Sequence, residues 1–501
     1  MRRNLIAAYS GLFLNMLVPL IVTPFVLRAL GTEAYGLIGI GLMLQSILTF
    51  LEAGLSASLS RAFAEKTAKP DDAGNLSGMH DLLRTLEYFY AILVGLVCLL
   101  VFLASPFIAR YWITDHSLPY DMVWQCIALI GLMIGFRFFV SLYGGGLAGL
   151  QRQVVLNAVS MTMTVVANVG AIAVLFRLSS DPRAFFAWLA VSGALTALVL
   201  RWTLLAISLT APAAPARFDW AQWQSIRRFS VGISSLMVTS LAVTQADKLL
   251  LSRLLPLRDF GFYSIASNVA NLVQLMTFPV QTTYYPRMTQ CQAKGDAQAL
   301  TDIYRFASRL VSLLVFPIGF TLALFSHDVL LLWLRDAQVA GAVHTILSLL
   351  VVGTTLLTSL MMMPYAMTLA HADTRITLRM HMGLLCIQVP AVIFAAINFG
   401  AVGAASFWCA LFCIYGPLYA WRVNRKYLAA SHFEWLWASV LKPALPALMA
   451  AAAVKQVVTG FAIPASFAIL YLPIAWGLAQ MAAWIVAPLP GVKLGTLLRA
   501  G

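Results

Sequence analysis

Apolar stretches of similar length alternate with short polar connections along the whole chain. They reach spanning length near 5–28, 36–58, 86–108, 121–143, 154–176 and 185–208. A second series lies near 229–252, 261–284, 308–333, 343–369, 378–397 and 401–421, followed by two more near 437–457 and 462–486. Crossing ~30 Å of hydrocarbon takes ~20 helical residues, so the pattern predicts about 14 membrane-spanning helices. Roughly 15 residues remain per connection, too few for a soluble domain. The expected class is an all-α membrane protein.

The two series divide at Ala211-Pro212-Ala213-Ala214-Pro215-Ala216-Arg217, where two prolines stop a helix. Phe218 through Trp223 predicts a short interfacial helix anchored by its aromatics. The expected organisation is a six-helix lobe over 1–210, a cytoplasmic linker over 211–228, a second six-helix lobe over 229–430, and two additional helices with a short tail over 431–501. The first apolar run has the look of a signal peptide. It is too long for one, lacks a small-x-small cleavage site, and has a counterpart helix in the second series, so it is expected to be a retained span.

The series repeat one another. At one gapless offset Arg28 falls on Arg253, Leu30 on Leu255, Tyr35 on Phe260, Gly36 on Gly261 and Arg84 on Arg309. Turn, apolar span and charged patch recur in the same order, which is the mark of an internal duplication. Further along, Ser105, Trp112 and Asp115 align with Ser326, Trp333 and Asp336 at another constant offset. Six helices per copy start both copies on the same side of the membrane. The lobes are therefore expected to be parallel repeats about an axis along the membrane normal, facing one another across a central cleft.

Composition changes this picture little: 61% of the 501 residues are hydrophobic and 10% charged. The net charge of +14 admits nucleic acid as a partner. Its distribution argues against that, with roughly 23 Lys/Arg on the inner side and about 9 outside. Both termini are expected in the cytoplasm, with basic loops against anionic lipid headgroups. Five of the six cysteines, including Cys98 and Cys126, fall in spans and Cys291 in an inner loop, so no disulfide framework is implied.

No phosphate-binding loop, metal-spaced His/Cys cluster or nucleophile elbow occurs, and no enzyme activity or cofactor is expected. The informative residues are polar ones within spans. Ser46, Thr49 and Ser56 share one face of the second span. Their counterparts in the second copy are Asn271, Gln274 and Gln281, with Asn268 extending that face. Such stripes line a wet cavity or join neighbouring helices; both readings stand. Arg137, within Gly135-Phe136-Arg137-Phe138-Phe139, lies away from either surface. At mid-bilayer an arginine costs ~2.5–3.5 kcal/mol on insertion scales, so it is expected to face a cavity, an acidic partner or the cytoplasmic rim. In a cavity its guanidinium suits phosphate oxygens. Lys248 adds a second cation. Asp247 and Glu52 are candidates for carrying H⁺ or Na⁺, or for simply neutralising nearby cations. Pro19, Pro24, Pro279, Pro317, Pro364 and Pro390 interrupt spans and are candidate hinges.

The motifs Leu30-Gly31-Thr32-Glu33-Ala34-Tyr35-Gly36, Glu52-Ala53-Gly54-Leu55 and Asp247-Lys248, followed by Phe260-Gly261-Phe262-Tyr263-Ser264-Ile265-Ala266, carry a resemblance. The chain resembles the polysaccharide-transport family, which includes the Wzx-type O-antigen flippases, within the multidrug/oligosaccharidyl-lipid/polysaccharide exporter superfamily. Glu52 stands where relatives often have Asp, one methylene longer with the charge retained. The resemblance implies a flippase of the bacterial inner membrane. Its cargo would be an undecaprenyl-diphosphate-linked oligosaccharide for O-antigen, capsule or exopolysaccharide, moved by alternating access and handed to glycan polymerase machinery. The alternatives are a cation-coupled drug exporter of the same superfamily and, in a different class, a membrane glycan polymerase or ligase. Short outer loops and the duplication disfavour the last.

Overall fold

The computed structural model describes residues 2–67, 73–113, 117–208, 241–428 and 432–489. The linker 211–228 and Asp115 lie outside these residues. All regular structure among the described residues is helical, and ten of the helices are long and apolar enough to cross a membrane. The chain forms two compact units, Met1–Gly261 and Phe262–Gly501.

The first unit begins with α1 (Arg2–Thr67), which holds the first two predicted spans end to end. They are separated at Gly31, whose φ of 82° and ψ of 175° are open only to a residue without a Cβ. There follow α2 (Ala73–Phe107), α3 (Tyr120–Gly149), α4 (Gln153–Ala173), α5 (Pro182–Ser208), α6 (241–254) and the start of α7 (Leu257–Leu275). Helix α3 is the centre, packing on α1, α2 and α5. Its small residues permit this. A Cβ on Gly135 would stand 2.8 Å from the Cys98 sulfur of α2, and one on Gly149 only 2.4 Å from the Ser60 carbonyl oxygen of α1. In hydrocarbon, where apolar surface gives little drive for helices to associate, such close backbone approach is what holds a bundle together. Polar ties supplement it: Thr164 donates to Asn15 Oδ1 at 2.6 Å, joining α4 to α1.

The duplication leaves a structural signature inside this unit. A Cβ on Gly36 would lie 2.3 Å from the Leu257 carbonyl oxygen, and a Cβ on Gly261 2.6 Å from that of Thr32. The offset that places Gly36 on Gly261 also places Thr32 on Leu257. The two contacts are therefore one contact seen from each copy, the reciprocity expected at a twofold interface.

In the second unit α7 runs on to a break at Met276–Thr277, where the Thr277 hydroxyl donates to the Gln274 carbonyl at 2.6 Å. Helix α8 (Phe278–Lys294) then starts with Pro279 in its first turn, a position where the missing N–H leaves nothing unpaired. Next come α9 (Ala297–Leu324), α10 (Ser326–Leu334), α11 (Ala337–Ala370) and α12 (Arg375–Tyr427). Like α1, α12 holds two predicted spans, divided at Gly400 with φ 61°.

The chain closes with α13 (His432–Trp435), α14 (Lys442–Gly460) and α15 (Ala468–Val486), which belong to the second unit. Several bonds seat this trailing part on α9 between Arg305 and Leu313, among them three of good length. Arg309 Nε donates to the Ala438 carbonyl at 3.1 Å, Trp435 Nε1 to Ser308 Oγ at 3.1 Å, and Gln480 Nε2 to the Leu313 carbonyl at 3.0 Å. Beyond α9, Lys455 reaches Asp328 of α10 at 3.2 Å.

Candidate functional site

Glu52, on the second span of α1, is 4% exposed. Tyr90 of α2 donates its hydroxyl to Glu52 Oε2 at 3.2 Å, and Ser141 of α3 contributes a second side-chain hydrogen bond. One turn further along α1, Ser56 donates to the Ser141 carbonyl at 3.0 Å. Three helices thus converge on one carboxyl group. Among the described residues no cation pairs with it, so its partners are hydroxyls alone.

Arg137 lies four residues before Ser141, on the same side of α3. It is exposed, and among the described residues it forms no hydrogen bond or ion pair. The structure therefore brings Glu52 and Arg137 within about one helical turn along α3 without joining them. A guanidinium has five N–H donors in a rigid fork and is always charged. On a spanning helix, with no partner among the described residues, its donors are of the kind that pair with an anion.

The remaining predicted residues fall into two groups. Ser46 donates to the Leu42 carbonyl at 2.9 Å and Thr49 to that of Gln45 at 2.7 Å. Both hydroxyl protons are thereby held by their own helix, the usual arrangement for Ser and Thr within spans. The corresponding amides differ. On α7 between Phe260 and Leu275, Asn271 and Gln274 alone are exposed, and Asn268 beside them is half-buried. Gln281, half-buried on α8, continues that edge beyond the helix break. Asn271, Gln274 and Gln281 have no side-chain partner among the described residues. Each offers two donors and an acceptor, the inventory that suits sugar hydroxyls.

On α6, Asp247 is 3% exposed and its Oδ1 lies 4.0 Å from Lys248 Nζ. Lys248 also donates to the Thr244 carbonyl of its own helix at 3.4 Å.

A cluster that sequence reading passed over lies one turn before Tyr90 on α2. Glu87 receives Arg201 Nε of α5 at 2.7 Å, the Tyr143 hydroxyl of α3 at 3.0 Å and Arg84 Nη1 at 3.1 Å. The one local signal is the three-residue spacing of Arg84 and Glu87; the other partners come from distant segments.

With this geometry in place, the chain can be set beside known proteins. Residues 1–292 match the family described as polysaccharide biosynthesis protein. The chain belongs to that family. No curated protein matches it in sequence. Among solved structures, the family member resembles a lipid II flippase MurJ in an inward closed conformation. The identity is 14%, coverage is 97% of this chain and 98% of that one, and the TM-score is 0.72. It also resembles an inward-facing MATE multidrug resistance transporter of the MOP superfamily at 14% identity, with 83% and 96% coverage and a TM-score of 0.66. A MOP superfamily transporter from Pyrococcus furiosus, described for the reversed polarity of its binding pocket, matches at 14% identity, 85% and 96% coverage and a TM-score of 0.56. At these identities the likeness establishes the fold: a multi-pass membrane protein with the architecture of MOP transporters.

Proposed function

We propose that this protein is a flippase that moves an undecaprenyl-diphosphate-linked oligosaccharide across the bacterial inner membrane by alternating access. The observation that carries the reading is Arg137, an exposed guanidinium on a spanning helix with no protein partner among the described residues. Leaving it unpaired in the bilayer costs ~2.5–3.5 kcal/mol, a cost that a bound diphosphate offsets through paired charge-assisted hydrogen bonds. The open amides Asn271 and Gln274, with Asn268 and Gln281 beside them, supply the weak, sequence-tolerant contacts that a glycan needs. Family membership and the likeness to a lipid II flippase support a lipid-linked cargo and a transporter rather than an enzyme.

Coupling is assigned to Glu52. A buried carboxyl group with hydroxyl partners and no cation is suited to carrying a proton, which removes the charge that burial penalises. Asp247, beside Lys248, is the weaker candidate for H⁺ or Na⁺. The Lys/Arg asymmetry supports both termini on the cytoplasmic side.

The decisive experiment is deletion followed by analysis of lipid-linked sugars. A flippase leaves full-length repeat units on undecaprenyl diphosphate in the inner leaflet. Unpolymerised units already in the periplasm would instead identify a polymerase.

A further inference from the structure

The Glu87 cluster has no part in the transport reading, yet it is built as a site. Glu87 has an 11% exposed side chain and holds one N–H of each of two arginines, whereas Arg84 and Arg201 remain 46% and 39% exposed. One carboxylate between two guanidiniums leaves a net positive charge. The fork of each arginine is fixed in direction, with the rest of its donors at the surface.

Its position within the first unit gives the ligand. Along α2 the exposed apolar residues Ile92 and Leu96 follow Tyr88 at four-residue steps, and Arg84 stands one turn before Tyr88 on the same stripe. Along α5, Leu195 and Leu198 form a second exposed apolar stripe that ends at Trp202, directly beside Arg201. Arg84 lies over the Tyr88 ring at 5.2 Å. Two lipid-facing stripes thus end at one cationic pair flanked by a tyrosine and a tryptophan, the aromatic pair that marks headgroup depth. The Lys/Arg asymmetry assigns this end of both helices to the cytoplasmic side, where anionic lipid is concentrated.

We propose that Arg84 and Arg201, oriented by Glu87, bind the phosphate of a membrane lipid whose hydrocarbon chain lies along the exposed stripes of α2 and α5. Two lipids carry that chemistry: a bulk anionic phospholipid and a polyprenyl diphosphate. A carboxylate that served only to join α2, α3 and α5 would need one cation and would place it inward. Here a second arginine is added on the lipid-facing side.

The test uses the full-length protein, delipidated in detergent and titrated by native mass spectrometry. The probes are phosphatidylglycerol, undecaprenyl diphosphate and, as the phosphate-free control, diacylglycerol. Arg84→Gln is the primary variant, because Glu87 keeps Arg201 and Tyr143 and the bundle stays joined. It is expected to weaken binding of at least one phosphate lipid about tenfold, the loss of a charge-assisted bond. Diacylglycerol binding is expected to stay unchanged. Arg110→Gln, at the opposite end of the same span, is expected to have no effect. Arg201→Gln, checked for retained folding by thermal melt, should repeat the loss. A loss confined to phosphatidylglycerol assigns the site to bulk lipid, and a loss confined to undecaprenyl diphosphate assigns it to the carrier. Wild-type affinity of Arg84→Gln for both lipids, or an equal loss in Arg110→Gln, overturns the proposal. No transport is measured, so the outcome is independent of the flippase reading.

Discussion

The second span of α1 and the helix α7 occupy equivalent places in the duplicated sequence, yet their polar faces work differently. Ser46 and Thr49 bond the carbonyls of their own helix at 2.9 and 2.7 Å. The side-chain amides of Asn271 and Gln274, at the same two positions of the repeat, have no partner among the described residues and are exposed. A hydroxyl on a helix can spend its one proton on the carbonyl four residues earlier; a primary amide can turn back too, as Asn168 and Asn398 do at 2.8 Å, but it then still has a second N–H and an oxygen to offer. One copy has therefore closed its polar face and holds the charged groups Glu52 and Arg137. The other keeps an open amide edge. Duplication supplied the frame, and side-chain reach divided the labour.

The largest effect expected is on the charged half. Arg137→Ala should abolish glycan export in a complementation assay, and Arg137→Lys should retain part of it, because lysine keeps the charge and loses the bidentate fork. Full export by the alanine variant removes Arg137 from the site.

Next comes the contrast itself. The double change Asn271→Leu with Gln274→Leu should lower export at least about tenfold, the loss of two hydrogen bonds to the ligand at about 1 kcal/mol each. Ser46→Ala with Thr49→Ala should change it less than about twofold, since those hydroxyls are already occupied. Equal losses in the two pairs would mean that both faces meet substrate.

A moderate effect on stability is expected at Glu52. Leucine there leaves the buried Tyr90 hydroxyl only the main-chain carbonyl of residue 52, now at 3.4 Å, and should cost about 1 kcal/mol in a thermal melt. Glutamine preserves the shape and an acceptor and should cost less. If export by the glutamine variant keeps its response to an imposed proton gradient, Glu52 is not the proton carrier.

The smallest effect lies in the second unit, in the turn between α11 and α12. Lys426 and the Tyr427 hydroxyl hold the Asp373 carboxylate down from an ordinary 3.8 to about 2. A carboxylate whose folded-state value is depressed adds stability above its unfolded value and loses it as the pH falls through the folded one. The small melting difference between wild type and Asp373→Asn should therefore be full above pH ~4 and vanish on acidification toward ~2. A difference that persists at pH 2 would show that Asp373 acts through packing.

Much of the fold was legible because lipid permits so few solutions. A run such as Ala337–Ala370 has to be a helix once it is apolar and of spanning length. The break between the first two spans was legible too, since Gly31 sits where the apolar run turns polar. The site was legible only in its residue types. Arg137 stood out because its charge had no nearby exit from the bilayer. That Thr49 turns back on Gln45 while Gln274 stays open depends on side-chain geometry, which spacing does not specify. Glu87 was hidden for a different reason: Tyr143 and Arg201, which define it, are separated from it by 56 and 114 positions.

The facing glycines bear on how this chain can change over time. A methyl group on Gly36 would strike the main chain at Leu257, and one on Gly261 the main chain at Thr32. Neither obstacle is a side chain that a second mutation could shorten. At most positions the halves of a duplicated gene are free to diverge, as the hydroxyl and amide faces have done. Here neither half can accept a larger residue without moving the main chain of the other, so glycine is held in both by the same contact. A search for distant relatives should therefore anchor its alignment on this pair of glycines before any residue that meets cargo.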